Sequence, residues 1–257
     1  VEDAMKWLES ERESARDFRL ETSDRLITGA LWLPENHSAS TPLILCGHGA
    51  SGDRYQAPIP HLAKRFLAIG AATLSLDGPV HGLRQVGPGG REALAEAFKR
   101  PELTDEMVSD WLGSLATVRE VVGLENNPLA YFGLSMGTIF GIPTLAAAAA
   151  EDIPFRASVL GLAGTSGVVG FLGERLAKDA AAIEHPILFL MQLEDELFDR
   201  QGYLTLFDAI GSSDKRLHAN PGLHPEIPSE EVDAAFAFLS ARLTEDVPRD
   251  VTNPLAD

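Results

Sequence analysis

Short, unbroken apolar runs alternate along this chain with longer segments of helical periodicity, and few architectures accept that order. The runs are RLITGALWL (25–33), PLILC (42–46), AATLSLD (71–77), LAYFG (129–133), ASVLGLAG (157–164), PILFLMQL (186–193) and a weaker KRLHAN (215–220). Continuous runs of this length are what burial on both faces of a parallel sheet produces. Between them, segments 61–69, 110–122, 135–150, 171–182, 202–210 and 230–243 repeat apolar residues at spacings of three and four, the helical signature. The β-α-β-α order predicts an α/β fold: a doubly wound, mostly parallel central sheet flanked by helices. DFRLET (17–22) can pair with 25–33 as an antiparallel N-terminal hairpin, which brings the expected sheet to about eight strands.

Length and charge narrow the class further. A chain of 257 residues can bury one large core, so 1–257 reads as a single domain. One long irregular excursion departs from the pattern. It opens DGPVHGLRQVGPGG after 71–77 and continues into a polar helix, REALAEAFKR, so 80–110 reads as a lid segment within the domain. With 38 acidic and 21 basic residues the net charge is −17, which repels phosphates and argues against a nucleic-acid partner. No stretch approaches the ~20 apolar residues of a membrane span. A lone Cys46 excludes an intrachain disulfide and suits a reducing compartment. The charged N-terminal stretch lacks the apolar core of a signal peptide, although a leader removed before Val1 stays open. A cytoplasmic protein is the expectation. The tail DVPRDVTNPLAD (246–257) has two prolines and no periodicity, and should run over the surface. No HExxH and no Cys/His ligand spacing occurs, so neither a metal nor a cofactor is expected.

Gly133-Leu134-Ser135-Met136-Gly137 matches G-x-S-x-G, after an apolar strand and before a helical run. The chemistry needs the serine on a sharp turn with its Oγ exposed, and glycines two before and two after remove side chains that would collide there. The turn also sets the N–H of Met136 at a helix N-terminus, where an oxyanion is stabilised. The bland alternative is a helix-capping serine. After PLILC comes Gly47-His48-Gly49-Ala50-Ser51-Gly52, an H-G-x-x-G loop that can offer a second N–H, that of Ala50. His48 reads as a brace or wall of this loop before a base. A carboxylate at the end of PILFLMQL would orient a catalytic histidine. Asp195 is preferred, with Glu194 and Asp199 as competitors and a helix-capping charge as the bland reading. Among the seven histidines, His37 is in a polar loop, His61 opens a helix, His185 is at the wrong strand end and His218 is inside a strand. His224 follows the last strand and precedes the last helix, as a base should. Leu83 and Phe98, on the 80–110 segment, are candidates for the substrate pocket together with His48.

Together these residues resemble the α/β-hydrolase family over nearly the whole chain, from the HGASG loop to the C-terminal helix. The resemblance implies an α/β-hydrolase fold and a Ser135, Asp195, His224 triad in the family's chain order. Asp77-Gly78-Pro79-Val80-His81-Gly82 is similar to the D-x-P-x-H-G turn of many members, where it is mainly architectural. The compact connection 164–186 leaves no room for a large cap, which looks more like the dienelactone-hydrolase and small-esterase branches. The implied function is a serine hydrolase that cleaves a small carboxylic ester or related acyl substrate through an acyl-enzyme on Ser135. Acyl transfer, C–C hydrolysis and perhydrolysis share the same machinery, and a non-catalytic binding protein on this fold is the alternative of another class. A rival reading takes Gly47 to Gly52 as a dinucleotide-binding G-x-G-x-x-G with Asp77 as ribose ligand. Pro58 and Pro60 oppose it, because a helix should open within the glycines.

Overall fold

The computed structural model describes residues 5–10, 14–22 and 24–244. Among the described residues nine strands form one sheet in the order β1-β2-β3-β5-β4-β6-β7-β8-β9. These are β1 Met5–Leu8, β2 Arg16–Glu21, β3 Leu26–Trp32, β4 Leu43–Gly47, β5 Ala72–Leu76, β6 Leu129–Gly133, β7 Phe155–Gly161, β8 Ile187–Gln192 and β9 Lys215–Asn220. The pairs β1·β2, β2·β3 and β3·β5 are antiparallel, and every pair from β5 through β4 to β9 is parallel. β4, β5, β6 and β8 are buried at every residue, as their unbroken apolar runs predict.

The ninth strand is β1, MKWL, which the sequence pattern missed because charged residues surround its four positions. Pairing stabilises it: Trp7 lies opposite Phe18, their rings meet edge to face at 6.3 Å, and the Arg16 guanidinium sits 3.8 Å from the Trp7 ring.

Among the described residues seven α-helices flank the sheet: α1 Ile59–Ala68, α2 Gly90–Ala97, α3 Leu103–Val122, α4 Met136–Ala150, α5 Gly173–Ala180, α6 Arg200–Ala209 and α7 Ser229–Thr244. On one face α1 and α7 bury Leu62, Phe66, Ala235 and Leu239 against Ile44, Ala130 and Leu188. On the other, α3 to α6 bury Trp111, Phe140, Leu176 and Leu206 against Leu45, Tyr131 and Phe189. α3 begins seven residues earlier than its periodicity suggests. Asp105 and Glu106 complement its N-terminal dipole, and Leu103 and Met107 are buried. The irregular excursion therefore ends before Leu103, and residues 103–110 of the segment expected as a lid belong to this packed helix. Tail 246–257 lies outside the described residues.

The Asp77 turn is built on buried charge. Arg54 donates from Nη1 to Asp77 at 2.9 Å and from Nε and Nη2 to Asp17 at 3.0 and 3.2 Å. Asp77 also accepts from the Thr28 hydroxyl at 2.6 Å and from the N–H groups of Arg54 and Leu83. This network joins β2, β3 and β5 to the loop after β4. It leaves Asp77 fully buried and committed, so a ribose ligand there is ruled out, and no helix opens in the glycine loop, since α1 starts only at Ile59. The dinucleotide reading fails on both counts.

Candidate functional site

The tight turn after β6 is dictated by close approach. Ser135 has φ 57° and ψ −119°, a strained conformation for a residue with a side chain. A Cβ on Gly137 would fall 2.3 Å from the Gly47 carbonyl oxygen, and one on Gly133 would fall 2.7 Å from that of Gly137. The turn is pinned from β7: Ser135 N–H donates to the Gly161 carbonyl at 2.9 Å. The Thr138 hydroxyl lies 2.7 and 2.6 Å from the carbonyls of Gly133 and Gly161, and accepts from the Gly161 N–H. Ser135 occupies the N-cap position of α4 yet makes no capping bond with its side chain. Its Oγ instead lies 2.9 Å from His224 Nε2.

His224 lies between β9 and α7, nine-tenths buried, with its Nδ1 2.7 Å from Asp195 Oδ2. The Asp195 side chain is 1% exposed. Its Oδ1 accepts the N–H groups of Leu197 and Phe198 at 2.7 and 3.0 Å, and Oδ2 also accepts from the Tyr203 hydroxyl. Burial pushes this carboxyl up, but the donors from His224, Tyr203 and Leu197 outweigh it and hold Asp195 below the ordinary aspartate value. The competitors serve the loop instead. Glu194 accepts the Gly222 N–H, and Glu196 accepts the His224 N–H at 2.9 Å. Asp199 takes the bland role: it is the N-cap of α6 and accepts the Gly202 N–H at 2.8 Å. Gln192 Nε2 donates to the Glu226 carbonyl at 2.7 Å, closing the same loop from below.

The loop after β4 presents backbone. Gly49 N–H donates to Gln56 Oε1 at 2.7 Å. His48 Nδ1 lies 2.8 Å from the Gly49 carbonyl, and its Nε2 accepts the Gly78 N–H at 2.8 Å. A carbonyl only accepts, so the proton is on Nδ1 and His48 is a neutral brace, as its loop position suggests. Burial, the largest cause, pushes His48 down to about 4. Holding the Gly49 carbonyl also turns the N–H of Ala50, across the same planar peptide, the opposite way. His81 faces two carbonyls, Nδ1 that of Pro79 at 2.7 Å and Nε2 that of Ala50 at 3.0 Å. Met136 is the first residue of α4, so its N–H has no intrahelical partner.

A cavity of about 350 Å³ opens above Ser135. Its floor and polar edge are His48, Ala50, Gln56, Ser135, Glu196 and His224, and its apolar walls are Ile59, Phe132, Leu134, Leu162, Ile227 and Val232. The lid segment contributes Arg91 alone. Leu83 and Phe98, expected as pocket residues, are elsewhere. Leu83 is half-exposed in a separate groove with Arg25, Leu26 and Val80, because its N–H is tied to Asp77 and its turn packs on β3. Phe98 stacks on Phe140 at 5.6 Å and meets the exposed Phe171 edge to face, away from the cavity. His185 and His218 are occupied by Ser158 and Glu231. Of the polar residues missed from the sequence, Glu196 had a signal in the three consecutive acids. Tyr203 had none, because its reach depends on how α6 packs.

A hydroxyl, an imidazole and a buried carboxylate lie in line at the C-terminal edge of a mostly parallel sheet, an arrangement chemically suited to hydrolysis. Comparison with solved structures narrows this. A cold-adapted esterase from an Arctic intertidal metagenomic library, solved with polyethylene glycol bound, is 30% identical. The match covers 93% of this chain and 99% of that one, with a TM-score of 0.78. Two more distant structures share the fold: an acetyl xylan esterase from Paenibacillus sp. R4 (16% identity, 93% and 88% covered, TM-score 0.68) and a dienelactone hydrolase from Anabaena variabilis (17%, 90% and 100%, 0.63). No protein-family model matches the sequence, and no curated protein matches it. The chain belongs to the α/β-hydrolase family, in its small esterase-like group, and is a hydrolase. Among the described residues no helix is long and apolar enough to cross a membrane.

Proposed function

We propose that this chain, acting as one domain, hydrolyses small carboxylic esters through an acyl-enzyme on Ser135. The observation that carries this is the continuous line from Ser135 Oγ through His224 to Asp195, at 2.9 and 2.7 Å, beneath an open cavity. Ser135 Oγ attacks the ester carbonyl as His224 Nε2 takes its proton. Asp195 holds the imidazole tautomer and stabilises the imidazolium. The N–H groups of Met136 and Ala50 receive the oxyanion, each donor worth roughly 3–4 kcal/mol where removed in other enzymes. The tetrahedral intermediate collapses, the alcohol leaves with the proton from His224, and a water activated by the same imidazole releases the acid. The cavity is at the small end of ligand pockets, which run from about 300 Å³, and its walls are mainly apolar. This favours a short acyl or alcohol group. The esterase matched at 30% identity supports the same bond type. Arg91, at the rim, is what remains of the lid.

Turnover of p-nitrophenyl acetate and labelling by a fluorophosphonate test the proposal. Both should vanish in Ser135→Ala while the circular dichroism of the fold is kept. Labelling retained in that variant refutes Ser135 as nucleophile. No turnover across a panel of short esters, by a protein that does label, moves the substrate to another acyl class.

A further inference from the structure

Asp195 holds two bonds on one oxygen that pull in opposite senses. Oδ2 accepts His224 Nδ1 and, from the opposite element, the phenol of Tyr203. Tyr203 is fully buried in the first turn of α6. Its ring meets Phe189 and Phe198 edge to face at 6.4 and 6.1 Å, so the hydroxyl has one direction available to it. Gly164 makes this approach possible, since a Cβ there would meet the N–H of Tyr203 at 2.9 Å.

We propose that Tyr203 is a positioning residue that sets the basicity of His224 through Asp195. The inference rests on the reading of His224 as the base. A phenol that donates to Oδ2 withdraws charge from the oxygen that stabilises the imidazolium, so it weakens the base while fixing the carboxylate's rotation. Burial and the carboxylate together push the Tyr203 phenol far above its ordinary value, so it remains a donor throughout the working pH range. The other groups that face this pair are few. Glu196 accepts the His224 N–H, Ser135 Oγ faces Nε2, the Phe198 ring lies 5.7 Å from the imidazole, and Arg91 shares the cavity. None of them touches Oδ2.

The test is the pH profile of kcat/KM on p-nitrophenyl acetate, whose acid limb reports the base of the free enzyme. Tyr203→Phe should move that midpoint to higher pH by about half to one unit, because a bond to a charged acceptor is lost and only part of it is felt at the imidazole. A 3-fluorotyrosine at position 203 alone, a stronger donor of nearly the same shape, should move it the other way. Opposite shifts support the proposal. Unchanged midpoints, or shifts of the same sign, overturn it, whatever happens to Tm. Should the phenylalanine variant fail to fold, the fluorinated protein decides by itself, a downward shift supporting the proposal and any other result overturning it. Wild-type turnover in His224→Ala would instead sink the reading of the base, a separate result.

Discussion

The two halves of the site are built on different principles. The turn holding Ser135 is made by backbone contact: Gly133 and Gly137 allow β6, α4 and β4 to approach within distances no side chain permits. The half holding Asp195 and His224 is made by side chains reaching backbone. Glu194, Asp195, Glu196 and Gln192 each hold part of the 221–226 loop or its imidazole. Steric necessity restricts residue type, so the first half tolerates little variation. Hydrogen-bond reach is shared among neighbours, so the second half distributes its roles over several similar residues.

The sharpest way to break this contrast is to exchange the acids one at a time. Asp195→Asn should lower kcat by roughly 10⁴-fold, the scale seen when a triad histidine is left in the wrong tautomer. Glu194→Gln and Asp199→Asn should retain most activity, because an amide oxygen still accepts the same backbone N–H. Steady-state kinetics on one neutral ester at pH 8 checks this. Collapse in Glu194→Gln, with Asp195→Asn near normal, would reassign the acid.

A second comparison sets buried charge against buried backbone. Removing Arg54 leaves Asp17 and Asp77 buried without their cation, so Arg54→Ala should cost about 3–5 kcal/mol in urea unfolding. A change below about 1 kcal/mol would mean that water replaces the guanidinium.

His48 gives a smaller, pH-limited effect. Its folded value of about 4 lies below the ordinary histidine value near 6.5, so the unfolded chain binds its proton first as pH falls. Its contribution is fully present above about 6.5 and is lost between there and 4, up to about 3 kcal/mol over that window. His185, also pushed down to about 4 by burial, adds to the same slope. Urea melts of His48→Asn should show a shallower fall in stability from pH 6.5 to 4 than wild type. An identical slope would place the acid sensitivity elsewhere.

The smallest effect belongs to the 80–110 segment. Leu83→Ala should leave ester chain-length preference unchanged, because Leu83 is outside the cavity, while Arg91→Ala should alter turnover of charged esters only a few-fold, as a solvent-screened rim charge does. A changed chain-length profile in the Leu83 variant would restore the segment as a pocket wall.

Eight of the nine strands, and their order along the chain, were legible because two-sided burial writes itself as unbroken apolar runs. β1 was not, because four residues pair through a register that only β2 supplies. Ser135 was legible because a strained turn demands glycine at fixed spacing. The choice of Asp195 over Glu194 and Asp199 could only be a preference, since all three carboxylates have the right chemistry. Leu83 and Phe98 were misplaced because sequence gives the length of an excursion but not its path, and the Asp77 network fixes that path. Tyr203 was invisible, since its role depends on the packing of α6 against β8.

The sequence alone therefore determined what local sterics and burial dictate: the α/β order, the Ser135 turn and the two flanking loops. The tertiary structure decided which acid faces His224, which phenol faces that acid, and which part of the 80–110 segment reaches the cavity. The physical reason is range. Apolar periodicity and the glycine spacing of a tight turn are written between residues near in sequence, even where the approach they permit, Gly137 to Gly47, is between distant ones. A hydrogen bond between residues 29 apart, such as Asp195 to His224, exists only once β8 and β9, the strands that precede them, have been laid side by side.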